Sequence, residues 1–263
     1  LDPTTLTFYY RDGNMPHTYY VYVREDETYQ ASSLINCENT GDIKLGDKSY
    51  TGEHSVEGNG TFPKIAVWIG GVLGGDLLNS TEGFETNLVN RGNITIDAYT
   101  EGAFVGGVVG HSYAATRDGF KNYGKITIEH LISTRLLLGG IVSCIQSNTL
   151  SNSHNYGAIE VKYGWGRELY LGGVIGMNKS IINDCENSGS ITVDGKVTGT
   201  EGDLYVCGIG ATLKANSILN NVKNSGAIDV SGSADRYVIA VGVANEMRCT
   251  MTDVSNSADI NVS

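Results

Sequence analysis

The chain has 263 residues, 40% of them hydrophobic, with 35 glycines and only three prolines, a composition too apolar for a disordered chain and too poor in proline for collagen. Eighteen basic against 29 acidic side chains leave a formal charge of −11, which argues against nucleic acid or an anionic membrane surface as partner. No stretch approaches the roughly 20 apolar residues that span a bilayer, and five cysteines without a CxxC pair point to neither a zinc knuckle nor a redox motif.

The first expected element is a hairpin. Residues 1–33 carry two runs rich in β-formers, Leu6–Tyr10 and Tyr19–Val23, around the turn residues Arg11–Asn14, the pattern of two strands joined by a tight turn. This hairpin caps the coil that begins at residue 34 or is the remnant of a preceding domain. The start at Leu1 rather than Met fits a processed product or an excised fragment.

From residue 34 to 263 the chain repeats. Seven segments share the pattern Asn-x-Gly-x-Ile-x-aliphatic: Asn39–Leu45, Asn90–Ile96, Asn122–Ile128, Asn155–Val161, Asn187–Val193, Asn224–Val230 and Asn256–Val262, with Gly replaced once, at Ala258. The Asn residues are spaced by 51, 32, 33, 32, 37 and 32, so a repeat is about 32 residues with two longer insertions. A second motif alternates with the first at Ile69–Val72, Val105–Val108, Leu138–Ile141, Leu171–Val174, Val206–Ile209 and Ala240–Val243; its second glycine and flanking aliphatics persist in all six. A third, weaker apolar segment leads into each Asn, as in Leu34–Cys37 and Ile181–Cys185.

In the Asn-led segment the aliphatics sit two apart, which is strand periodicity with one face buried. No single repeat can bury that face, so equivalent strands stack as a parallel sheet about 4.8 Å apart, and seven rungs make a rod on the order of 34 Å long. The parity of the apolar positions breaks at the glycine pair, as a corner requires. Asn tolerates left-handed turns, and its amide can donate and accept along a stack of like turns, so all seven are read as structural. Strand-to-parallel-strand crossovers are right-handed almost without exception. The expected fold is therefore all-β, a right-handed parallel β-helix (solenoid) of about seven coils. Cys37 and Cys185 fill a position held elsewhere by Leu88, Phe120, Val222 and Val254, which makes them buried apolar groups rather than thiol nucleophiles. The chain stops inside a repeat at Val262 and Ser263, so the natural polypeptide is expected to continue, or another chain to cover that edge.

With these motifs in view the chain resembles the GLUG-type repeats of bacterial surface proteins, including regions that precede the catalytic part of IgA-cleaving metalloproteases. The nearest matches are Gly173–Asn178 followed by Ile182–Gly189, and Ile35–Gly41; the copies at Val206–Gly210 and Ala240–Ala244 depart at Gly positions. The resemblance implies secretion, anchoring at a bacterial cell surface through parts outside this chain, neighbouring domains, and an adhesive or spacer role. It implies no catalytic residues, and the HExxH zinc site of the protease relatives has no counterpart here.

The expected function is thus a non-catalytic adhesive or spacer module, with no cofactor and no metal, binding a glycan or a surface protein through loops on a rigid rod, such as 47–63 and 194–203. Exposed rings are the natural contacts for sugars and peptides. Tyr123 and Tyr156 share one repeat position and should stack, with Tyr163, Trp165 and Tyr170 in the following loop; packing between rungs is the plainer reading of the same stack. The alternative is a polysaccharide lyase or glycoside hydrolase, because parallel β-helices host such enzymes. Its best carboxylates are Glu160 and Asp229, two rungs and roughly 9.6 Å apart, but Thr192 stands between them and no His or Arg shares the face. Asp194, Glu201 and Asp203 could line a calcium loop, though without EF-hand spacing.

Overall fold

The computed structural model describes residues 33–46, 66–75, 83–112, 116–145, 148–165, 167–194, 196–197, 202–245 and 249–263. Within them the regular structure is entirely β, and every strand pairing is parallel. The expected hairpin cap of residues 1–33 lies outside the described residues but for Ser33, as do residues 47–63 and, within the 194–203 loop, residues 195 and 198–201.

One coil shows the plan. A lead side, Thr149–Ser151 and His154–Asn155, passes through a corner into the Ile side, Ile159–Val161. The chain then returns along a third side, Glu168–Gly172, and through the glycine corner along a fourth, Ile175–Asn178. Each side stacks in register on its equivalents: Ile159 lies between Ile126 and Ile191, and Leu171 between Leu138 and Val206. The stack is a parallel β-solenoid. The lead and Ile sides hold seven rungs, but the fourth side is a five-stranded sheet. About five turns therefore close completely, where the repeat count alone suggests seven; the sixth closes only by a bridge at Ala244 and the seventh ends on its second side.

The core is divided. One apolar cluster fills the space between the Ile side and the third side, around Ile126, Ile159, Leu138 and Leu171. A second fills the space between the lead and fourth sides, around Leu150, Ile182, Val142 and Ile175. The Asn corner joins lead to Ile side, the glycine corner joins third to fourth, and the two corners touch, which pinches the cross-section into two lobes.

At the pinch runs a ladder of amides. From Asn39 through Asn90, Asn122, Asn155, Asn187 and Asn224 to Asn256, each Nδ2 donates to the Oδ1 of the next amide, at 2.7–2.9 Å. The other Nδ2 hydrogen goes to the carbonyl two residues on, as from Asn155 to Gly157 at 2.9 Å. The five inner amides are buried, and these paired bonds are what makes burial of so polar a group tolerable.

The second glycine of each pair exists for this ladder. A Cβ on Gly173 would lie 2.4 Å from Asn187 Cγ and 2.1 Å from the Gly208 carbonyl oxygen, so only a residue without a side chain lets the corners meet. The left-handed turn expected at the ladder Asn itself falls three residues earlier. Asn36, Asn87, Gly119, Asn152, Asp184, Asn221 and Asp253 take positive φ between 50° and 72°, and all belong to the residue types that tolerate that region. At Gly119 a Cβ would also meet Asn87 Oδ1 at 2.6 Å. The ladder Asn is selected by its amide rather than by turn geometry.

Two substitutions test this. Asn155→Ala strips partners from Asn122, Asn187 and Gly157 at once and should cost about 3 kcal/mol or more in urea unfolding; a midpoint close to the parent's would refute the ladder's role. Gly173→Ala should lose a similar amount, on the order of 3 kcal/mol, with the m-value unchanged.

Candidate functional site

The candidate contacts divide between two places. Tyr123 and Tyr156 follow Asn122 and Asn155 at the outer rim of the Asn corner, 41% and 43% exposed. Their rings stack with centroids 4.7 Å apart and planes 3° from parallel. Arg91, the equivalent residue one coil earlier, lies over the other face of Tyr123 at 4.7 Å and also pairs with Glu38. The next equivalent is Ser188, too small to cover Tyr156. His154 does so instead, its ring 3.7 Å from that of Tyr156 and its Nε2 2.8 Å from Ser188 Oγ. The series Arg91, Tyr123, Tyr156, His154 thus closes ring face on ring face, leaving edges and hydroxyls to solvent.

Tyr163, Trp165 and Tyr170 do not share a loop. Tyr163 lies at the far end of the Ile strand from Tyr156, roughly 20 Å along an extended chain, and its ring stacks on His130 at 4.5 Å. Trp165 belongs to the short strand Gly164–Trp165, which pairs with Leu131 and Ile132. Tyr170 sits within Glu168–Gly172 and stacks on Tyr205 at 4.9 Å. Burial first, and then the charge of Glu168, pushes the Tyr170 phenol well above its ordinary value; burial and the Asp203 carboxylate raise Tyr205 to about 12. Arg135 pairs with Glu168 at 2.7 Å, so this face too is knitted rung to rung. Rings were expected in one loop because their sequence numbers are close. They are separated because Trp165 and Tyr170 belong to different strands, Gly164–Trp165 and Glu168–Gly172, with Tyr163 ahead of both.

The carboxylates proposed for catalysis are in the expected column, Glu160 and Asp229 with Thr192 between. Each has a partner: Lys125 bonds Glu160 at 2.6 Å and holds its pKa below the usual carboxylate range, while Asn261 donates to Asp229 at 2.7 Å. Asp203, assigned to a possible calcium loop, opens the strand Asp203–Cys207 and accepts from Tyr205 at 3.1 Å. Glu201 is outside the described residues, and among those described no group of three or more His, Cys, Asp or Glu could hold a metal ion. Cys185 is buried as expected, its thiol pushed up to about 12 by burial, while Cys37 is partly exposed in the first coil.

Two clusters went unnoticed in the sequence. Trp68, Phe104 and His111 pack around the glycine corner of the first two coils, Trp68 stacked on His111 at 5.2 Å and Phe104 edge-on to it at 5.8 Å. In the lead side, Glu85 and Arg117 point inward on adjacent rungs and are buried with Ser112. Five residues before each ladder Asn the other coils carry Leu34, Leu150, Ile182, Leu219 and Met251, so a column alignment would have exposed the anomaly. No family model, no curated protein and no solved structure matches the chain.

His154 makes the closed stack sensitive to pH. Its pKa is lowered from 6.5, chiefly by burial, with Glu186 opposing and Lys121 assisting. The folded state therefore takes up a proton less readily than the unfolded chain. Stability from this site is present above about pH 6.5 and declines as pH falls through the folded pKa. Melting temperature should drop between about pH 7 and 5, and His154→Phe, which keeps a ring over Tyr156, should flatten part of that drop; an identical slope would remove His154 as its source.

Proposed function

We propose that the chain is a non-catalytic adhesive or spacer module of a bacterial surface protein. The observation that carries this reading is the closed character of the side walls. Rings and charges on the outer faces are engaged with neighbours in the same or the adjacent coil, from Arg91 through Tyr123 and Tyr156 to His154 and from Arg135 to Glu168. Such pairing suits a stiff rod that holds binding elements apart. Residues resembling GLUG repeats, Gly173–Asn178 and Ile182–Gly189, support secretion and surface anchoring, with further domains on the same polypeptide.

Of the two ligand classes, a surface protein fits better than a glycan. Sugars stack on open ring faces, and here the faces of Tyr123 and Tyr156 are covered while their rims are exposed. Exposed tyrosine edges with hydroxyls, beside Arg91, have the composition of protein contacts. Tyr163, 37% exposed, is a separate contact on the opposite rim.

Binding arrays of host proteins and glycans, run beside lyase and hydrolase assays on the same polysaccharides, test this. Saturable protein binding without turnover is expected. Tyr123→Ser with Tyr156→Ser should weaken it about tenfold, near 1.4 kcal/mol, while the fold persists. Turnover abolished by Glu160→Gln or Asp229→Asn would replace this reading with a β-helical enzyme.

A further inference from the structure

The Asn ladder is the same in every coil. It sets how far one strand slides along the next, because a slip of even two residues would break every amide bond. It cannot tell one coil from another: the amide of Asn122, which donates to Asn155, would donate to that of Asn224 as readily. Exposed pairs between neighbouring coils, such as Arg135 with Glu168 and Lys162 with Glu129, distinguish partners only weakly, since solvent screens them.

Glu85 and Arg117 break this sameness. They occupy the column that is apolar in the other five coils, on adjacent rungs and in direct register. Both are buried, with Arg117 Nε 3.9 Å from Glu85 Oε2. The hydroxyl of Ser112, equally buried, donates to Glu85 Oε2 at 2.7 Å and accepts from Arg117 Nε at 2.6 Å, and its carbonyl accepts from Arg117 Nη2 at 2.9 Å. Next to Ser112 in its own column stands Ile145, so the hydroxyl replaces a bulk that would block the guanidinium. Desolvation makes such a pair a poor source of stability compared with two aliphatics, but a severe penalty on any arrangement that separates its members.

We infer that the Glu85–Arg117–Ser112 cluster fixes which coil stacks on which, by making the second and third coils the sole charge-complementary neighbours in a column where other pairings are interchangeable. A coil skipped during folding, with its 32 residues looped out, would leave Glu85 or Arg117 buried against Leu150 or Leu34. That cost selects the sequential stack.

The test uses the whole chain, refolded from urea, with amide spectra and thermal melts as readouts. In Glu85→Leu/Arg117→Leu/Ser112→Ala the column is apolar throughout. It should melt at or above the parent's temperature yet refold to more than one species, with a second set of amide peaks from at least about a tenth of the molecules. Glu85→Arg/Arg117→Glu reverses the charges, keeps complementarity, and should return to a single set. The inference fails if the aliphatic variant refolds to one parent-like species, if it does not fold at all, which would assign the cluster to packing, or if the reversed pair is as heterogeneous as the aliphatic one.

Discussion

The row of buried amides is the constraint to which the rest of the molecule answers. An amide placed between two apolar lobes must have its hydrogens and oxygen satisfied, or each orphan costs on the order of 1–3 kcal/mol. The chain meets this by giving each Asn two acceptors for its two amide hydrogens, one in its own turn and one in the next coil. Once the amides are stacked, strand register, coil spacing and the position of the Ile side follow, because a parallel sheet repeats at nearly the distance that amide stacking requires. The glycine corner follows as well, since the amide plane occupies the volume where a side chain would be.

A second consequence concerns the outside. Stacking identical positions every 4.8 Å or so brings like side chains face to face, which favours rings over rings and opposite charges on neighbouring rungs. Tyr170 on Tyr205 and Tyr123 on Tyr156 are products of this geometry as much as of any selection for binding. A solenoid wall thus spends its aromatic faces on itself, and ligand contact shifts toward rims and turns, where a residue lacks an equivalent above or below. This is why an exposed tyrosine in a repeat column says less about ligands than the same tyrosine on a loop.

Much of the fold was legible because repetition multiplies a weak signal. Seven copies of the Asn-led segment and six of the glycine motif locate two corners and the Ile side, and the buried role of Cys185 follows from column equivalence. What could not be read was contact between columns distant within a coil. Nothing in Asn155 alone says that its amide lies against Gly140, or that corner meets corner and splits the core. The turn position was misplaced for a related reason: Asn serves at both Asn152 and Asn155, and only the backbone distinguishes a left-handed φ from an inward amide. The aromatic site was half legible. The Tyr123 and Tyr156 stack came from the period, but its closure by Arg91 and His154 depended on a ring reaching across from the neighbouring column. Tyr170 was assigned to a loop because the return strand begins sooner than the glycine motif suggests.

Regularity also has a weakness that the same physics creates. A ladder whose steps are identical is cooperative and stiff, yet it carries no information about order along the rod, and every wrong pairing of coils satisfies it equally well. Chain connectivity supplies some order, since skipping a coil requires closing a loop of about 32 residues, but loop-closure entropy rises only slowly with length. Discrimination therefore has to come from positions where the repeat is broken on purpose. In the interior only a charge, an amide or a large change in volume is decisive, because aliphatics of similar size exchange at little cost. A buried acid facing a buried base on adjacent rungs is the sharpest such break available to twenty side chains. Its place between the second and third coils, joined by an ordinary 32-residue spacing, puts it where connectivity alone separates the right neighbour from the next by no more than one further repeat.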